Sequence, residues 1–354
     1  MSGHSTYVKD LASTRPDLAK QGRVRLAAYS LETMNTSRKA TLSAESALLV
    51  GDTHADVGWL KSVVLPTARK IGITTIIQVG DFGYWPESRK FLNVVRNARA
   101  KFGVDVWFID GNHEHFTTLN RNVRAAQVAA GVPEGNRDPV ELAPGFIYLP
   151  RGSRITVAGR SVACVGGAAS IDRADRIVGT SWFPEERIND SDIAAVVAGG
   201  HADILITHDA PARWRIPGAW SEGSPPISWI PELPSCDEHR ERVREVLELV
   251  SPSTLIHGHY HVAYQQRSLE RWGKLDTFGL DCNTSRRWGV VVREIDGELS
   301  FEWVGIRQEL ASSNGRCNGP AMMVGHTRTT NRWRTHHGRC STERARARGN
   351  PCRD

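Results

Sequence analysis

The chain has 354 residues, 40% of them hydrophobic and 24% charged, which is ordinary for a soluble globular protein and excludes a wholly disordered, collagen-like or disulfide-scaffold chain. No run of 18 or more apolar residues occurs, the longest candidate (193–206) being broken by Gly199-Gly200-His201 and Asp203, and the first 30 residues lack the apolar stretch of a signal peptide. The formal charge of +6 is concentrated at one end: residues 311–354 hold nine Arg, no Lys and two acids, a balance of +7, which leaves −1 for residues 1–310.

The first 45 residues are polar, without apolar periodicity beyond 24–31, and read as an extension. From Ala47 the character changes. Ala-Leu-Leu-Val-Gly-Asp is a short apolar run closed by turn chemistry, as in a buried strand. A helix at 57–70 and a strand at 75–79 follow. Residues 87–101 read as a helix and 104–109 as a third strand, ending in Asp110-Gly111-Asn112-His113. Strands alternating with helices, each strand closing in Gly and a polar residue, predict an α/β sheet whose functional residues sit at strand carboxyl ends.

After Pro144 the pattern turns strand-rich, at 147–149, 154–157 and 162–165. A helix at 193–197 and a strand at 204–207 lead to an insertion over 211–235, rich in Pro, Trp and Gly and suited to a lid. A charged helix at 237–250 precedes a strand at 254–256, then strands at 262–266, 289–293 and 299–304. The expected domains are therefore an extension over 1–45, a catalytic body over 46–307 and a basic tail over 308–354 of disordered composition. Cys164, Cys236 and Cys282 fall in the body and Cys317, Cys340 and Cys352 in the tail, with no Cys-x-x-Cys. They read as reduced thiols of a cytoplasmic protein.

Five segments at expected strand ends carry metal-binding residue types: Gly51-Asp52-Thr53-His54, Gly80-Asp81, Gly111-Asn112-His113-Glu114, Thr207-His208-Asp209 and Gly258-His259-Tyr260-His261. Any one alone reads as a cap or a turn. Together they supply carboxylate, imidazole and amide oxygen, a mixed donor set suited to Mn, Fe, Zn or a similar divalent metal. In extended backbone, residues i and i+2 share a side, so Asp52 with His54, and His259 with His261, can each turn two donors to one cavity. Asp81 has two oxygens, enough to bridge two ions about 3.5–4 Å apart, and a bridging hydroxide would then be available at neutral pH.

In their order these segments resemble the calcineurin-like metallophosphoesterases, over residues 47–304. The resemblance implies a four-layer α-β-β-α sandwich with flexible terminal extensions, and two divalent ions. Asp52, His54, Asp81 and His261 would hold the first ion; Asp81, Asn112, His208 and His259 would hold the second. His113 would be the catalytic imidazole, a general acid in phosphomonoester or phosphodiester hydrolysis. Gly166-Gly167-Ala168, Ser170-Ile171-Asp172-Arg173 and Ser181-Trp182-Phe183-Pro184-Glu185-Glu186 are similar to a segment of a small bacterial and phage branch of that family.

Two departures stand out. The family's common Asp-x-His-Gly is here Asp52-Thr53-His54-Ala55, and the Gly-Asp-x-x-Asp-Arg-Gly of protein-phosphatase-like members is Gly80-Asp81-Phe82-Gly83-Tyr84-Trp85. Tyr84 replaces the carboxylate that would orient the catalytic His, which leaves Asp56 or Glu114 as its expected partner. Asp172, Arg173 and Arg176 are candidates to grip a substrate phosphate, or to form a structural ion pair. Trp214, Trp220 and Trp229 read as pins of the insertion, His257 as a core residue, and His115 and His201 as surface or capping residues. The tail's arginines could attract nucleic acid, though a solvated extension is the favoured reading, and no membrane partner is expected. The competing function is a non-catalytic scaffold on the same fold, which gives no physical reason to keep His113 beside a full donor set.

Overall fold

Apolar side chains on both faces of a strand are tolerated only where the sheet is covered on both sides. The computed structural model describes residues 41–218 and 227–305, and residues 46–50 within it obey this rule: Ala47 and Leu49 face one way, Leu48 and Val50 the other, all buried. This strand, β2 (Ser46–Val50), lies inside a seven-stranded sheet. From edge to edge the sheet runs β14 (Glu298–Val304), β13 (Gly289–Ile295), β2, β3 (Thr75–Val79), β4 (Asp105–Ile109), β6 (Phe146–Tyr148) and β5 (Val140–Ala143). The second sheet runs β1 (Ser43–Ala44), β7 (Ser153–Val157), β8 (Arg160–Val165), β9 (Ile204–Thr207), β10 (Thr254–His257), β12 (Gly273–Gly279) and β11 (Tyr264–Glu270). β2, β3, β4 and β6 pair in parallel in one sheet, and β8, β9, β10 and β12 in the other.

The inner faces pack on each other through Leu49, Ile77 and Trp107 from the first sheet and Ile155, Cys164, Ile206 and Phe278 from the second. Helices cover the outer faces. On the first sheet Leu48, Ile76 and Phe108 meet α1 (Val57–Trp59), α2 (Leu65–Lys70), α3 (Arg89–Arg96), α4 (Ala98–Phe102) and α5 (Phe116–Ala129). On the second, Val165, Leu205 and Leu255 meet α6 (Asp190–Ala198) and the Val243, Val246 and Leu247 face of α7 (Leu233–Val250). The result is the expected four-layer α-β-β-α sandwich.

Several expected elements differ in detail. The helix at 57–70 is broken by a π turn over Leu60–Val64, just before Pro66, which has no N–H to give an i−4 carbonyl. The helix at 87–101 divides at Asn97 into α3 and α4, and α4 stops at Gly103 with φ 70°, the usual left-handed stop. The pattern at 262–266 becomes β11, which starts at Tyr264. The sheet also begins ahead of residue 46, since β1 pairs in parallel with β7. Within the insertion, a 3-10 turn spans Ile227–Glu232, whereas Trp220 lies outside the described residues, as do the 1–40 part of the extension and the tail from residue 306. Among the described residues no helix is long and apolar enough to cross a membrane.

Candidate metal centre

The carboxyl ends of β2, β3 and β4 from one sheet meet those of β9 and β10 from the other, and the donor side chains project from the turns that follow. The backbone there is strained. His54, Asp81, His259 and His261 all adopt positive φ (45°, 52°, 70° and 53°), a left-handed conformation costly for residues with a Cβ and frequent at functional sites. Glycine lets the strand ends close up: a Cβ on Gly80 would fall on the His208 ring, and one on Gly111 would fall on Asp81.

Two donor groups result. In the first, His261 Nε2 is 3.0 Å from Asp52 Oδ2 and 3.2 Å from His54 Nε2, and His54 Nε2 is 3.9 Å from the same Asp52 oxygen. In the second, His208 Nε2 is 3.2 Å from Asp81 Oδ1 and 3.2 Å from Asn112 Oδ1, with His259 completing the group. Asp81 stands between them, its Oδ2 4.0 Å from His54 Nε2 and its Oδ1 facing His208. Backbone N–H groups orient both buried carboxylates: that of His259 donates to Asp52 Oδ1 at 3.1 Å, and that of His113 to Asp81 Oδ1 at 2.8 Å.

The chemistry of these donors fits divalent cations. His208 Nδ1–H donates to the Val79 carbonyl at 2.8 Å, which aims Nε2 and its lone pair inward, as in metal-ligating histidines. Burial opposes charge on His208, yet Asp81 and Asp52 push its pKa up to about 10. Burial likewise opposes charge on His261, and Asp52 and Cys282 push it up to about 11. Each group thus holds buried carboxylates that demand positive charge among nitrogen donors, a demand that a divalent ion also meets.

His113 lies at the rim of both groups, its ring centroid 5.3 Å from that of His54. Neither expected partner reaches it. Asp56 caps α1 by accepting from Trp59 N at 2.9 Å, and also accepts from Asn283. Glu114 accepts the N–H groups of Phe82, Gly83 and Tyr84 at 2.6–3.0 Å and so clamps the loop after β3; burial and the nearby Asp81 push its pKa up to about 8. Tyr84 is buried in an aromatic stack with Phe108 and Phe146, while Trp85 Nε1 donates to the His113 carbonyl at 2.7 Å. The group that does meet the ring is Arg176, whose Nη2 is 2.6 Å from His113 Nε2. Burial, and after it this guanidinium, outweigh Asp81 and hold His113 well below the usual imidazole range.

The three candidate phosphate contacts divide. Arg176 faces the centre and is braced by Asp172 at 2.8 Å, so Asp172 has the ion-pair role. Arg173 turns away, stacked 4.6 Å over Trp182 and 3.6 Å from Glu232. Trp214 is buried against the second sheet's helical layer, and Trp229 Nε1 donates to Asp175 at 2.8 Å. His257 is buried and bonded to Tyr264, His115 caps α5, and His201 is bonded to the Val250 carbonyl.

Sequence reasoning missed the polar scaffold beneath these residues. Arg151 makes two bonds to Asp110 Oδ2 (2.6 and 2.9 Å), a third to Asp192, and others to the carbonyls of Glu185, Glu186 and Arg187. Asp209 accepts from His239 and Tyr260, which hold it well below the carboxylate range against the penalty of burial. The one signal available was the acid in each motif, Asp110 before Gly111 and Asp209 after His208. Their partners lie 30 or more residues away and follow no fixed spacing.

A sequence profile of the calcineurin-like phosphoesterases matches residues 46–263, more than half of the chain, and the protein belongs to that family. Against the curated proteins, no match was found. Among solved structures it is similar to TT1561 of Thermus thermophilus, at 11% identity over 73% of this chain and 98% of that one, with a TM-score of 0.44. A dimetal phosphatase from Danio rerio is similar at 12% identity, over 73% and 96% of the two chains, with a TM-score of 0.43.

Proposed function

We propose that the protein hydrolyses phosphomonoesters or phosphodiesters at a dinuclear metal centre. Asp52, His54, Asp81 and His261 would hold one ion, and Asp81, Asn112, His208 and His259 the other. The observation that carries this reading is the position of Asp81, with one oxygen toward each histidine group. Bound there, two divalent cations of the Mn, Fe or Zn kind would neutralise charge developing at phosphorus and make water acidic enough to serve as nucleophile near neutral pH.

The remaining roles fall to the chain itself. Arg176 is planar, always cationic and half of an ion pair with Asp172, which suits it to pair with phosphoryl oxygens. His113 is the general acid. When Arg176 turns to the substrate phosphate, Nε2 of His113 is freed and an anionic phosphate replaces the guanidinium beside the ring. The otherwise neutral imidazole would then take up a proton from solvent and deliver it to the leaving oxygen. The buried Asp52, Asp81 and His208 keep bulk water from the inner side of the centre, which strengthens these interactions there, while His54, His113, His259 and His261 form its partly exposed mouth.

The test is a protein stripped with a chelator and reloaded with Mn²⁺, assayed side by side on p-nitrophenyl phosphate, bis-p-nitrophenyl phosphate and a nucleic-acid substrate. Turnover of at least one, lost on stripping and restored on loading, is the expected result. Fully active protein holding fewer than two ions per chain would defeat the dinuclear reading.

A further inference from the structure

Asparagine is an ambiguous ligand, because a half-turn of its amide replaces the carbonyl oxygen with an NH₂ that no cation accepts. Something must hold Asn112 with Oδ1 toward His208 and the second donor group. Asn112 Nδ2 is 3.1 Å from Ser170 Oγ. A hydroxyl can accept that bond or donate, so Ser170 alone does not settle the orientation. Glu186 does: its Oε2 is 2.6 Å from Ser170 Oγ, and its Oε1 accepts the Ser170 N–H at 2.7 Å. With both carboxylate oxygens accepting, the single hydroxyl proton goes to Glu186, and Oγ can only accept from Asn112.

Both residues are almost wholly buried, Ser170 at 2% and Glu186 at 1% exposure, so water does not stand in for either bond. Their placement is built into the fold. Ser170 follows β8 through Gly166-Gly167, where Gly167 N donates to the Asp110 carbonyl at 2.9 Å. Gly167 has φ 94°, and a Cβ there would lie 2.5 Å from the Glu186 carbonyl. Arg151 joins the same pieces, bonding the Asp110 carboxylate and the Glu185 and Glu186 carbonyls. The strand end that carries Asn112 and the turn that carries Glu186 are thus held by one guanidinium.

We propose that Ser170 and Glu186 are positioning residues that lock the Asn112 amide with its oxygen toward the second metal position, making affinity there, and not at the first position, depend on the segment 166–186. This rests on the dinuclear reading above. The discriminating variant is Glu186→Gln, nearly isosteric. Ser170 N–H can only donate, so the glutamine turns its oxygen to that N–H and its NH₂ to Oγ. The buried Oγ proton then has lost its acceptor, and an Asn112 turned oxygen-first supplies one, which favours the flipped amide.

The experiment is stepwise Mn²⁺ titration of the full chain by calorimetry, with electron paramagnetic resonance to detect the coupled pair of ions. It is run at pH 8, above the value of about 7 to which burial raises Glu186. Wild-type protein is expected to bind two ions. Ser170→Ala and Glu186→Gln should weaken the second by about 10 to 100-fold, leave the first unchanged and lose the coupled signal. Ser170→Thr, which keeps the hydroxyl, should restore it. Weakening of both ions together with a lower melting temperature of the metal-free protein would mark a merely structural role and overturn the proposal, as would two unchanged ions in Glu186→Gln. Fewer than two ions in the wild type would instead strike at the dinuclear reading itself.

Discussion

Ala55 occupies the place where the family's common motif has glycine, and its φ of 56° shows why glycine is common there. An L-residue in the left-handed region is strained by about 1–2 kcal/mol. Against that, glycine costs more backbone entropy on folding, and the half-buried methyl of Ala55 packs on the first helical layer. The strain outweighs the other two, so Ala55→Gly should stabilise the protein by about 0.5–1 kcal/mol, read as a higher urea midpoint at unchanged slope; a lower midpoint would show that the methyl contact dominates. His113 has a different kind of consequence. As general acid it should contribute about 10² to 10⁴-fold, and His113→Ala should keep its metals while losing most on substrates with poor leaving groups. Equal losses on good and poor leaving groups would contradict the role. The donor residues were legible because they fall in short polar segments that close strands, four of the five opening on glycine. Arg176 as the neighbour of His113 was not, since 63 residues separate them and Asp56 and Glu114 lie nearer in sequence, each already committed to backbone N–H groups.

At the level of elements, the buried strands β2, β3, β4 and β9 were readable because both faces are apolar, giving unbroken runs bounded by turns. Beside the two-residue β1, three longer elements were not. Helix α5 buries only Phe116, Leu119, Val123 and Gln127, is capped by a histidine and carries threonines in its first turn, so neither its cap nor its composition announces a helix. β12 places Leu275 and Phe278 three apart and is bounded by glycines, which hides the alternation of a strand. β5 has one buried residue at an edge. What fixes the strand ends in place is the Arg151 hub, 7% exposed and paired with both Asp110 and Asp192. Arg151→Met would leave the buried Asp110 without a counter-charge, and Asp192 with only Arg137 at 3.0 Å, so a loss of about 3–5 kcal/mol is expected in chemical denaturation. Adding Asp110→Asn should recover part of it. A single-variant loss below about 1 kcal/mol would mean that water already reaches the two acids.

Across the whole molecule, charge and chemistry separate. Every proposed ligand, together with His113 and Arg176, lies between Asp52 and His261, while residues 311–354 carry a balance of +7. Nine arginines in that stretch could bind nucleic acid by counterion release, with affinity falling steeply as salt rises. Trp333 is their one interleaved aromatic, so base stacking would add little, and a solvated extension remains the favoured reading. Deleting residues 309–354 should leave hydrolysis of a small phosphoester intact, measured as kcat/KM on p-nitrophenyl phosphate within about twofold of the full chain, well under the tenfold that 1.4 kcal/mol would produce. The same deletion should abolish any salt-sensitive DNA or RNA binding of the full chain, if the tail supplies it. Should the truncated protein bind nucleic acid as tightly as the intact one, the contacts must come from residues 1–308. Phosphodiester hydrolysis of nucleic acid would then become the leading assignment for the centre that Asp81 joins.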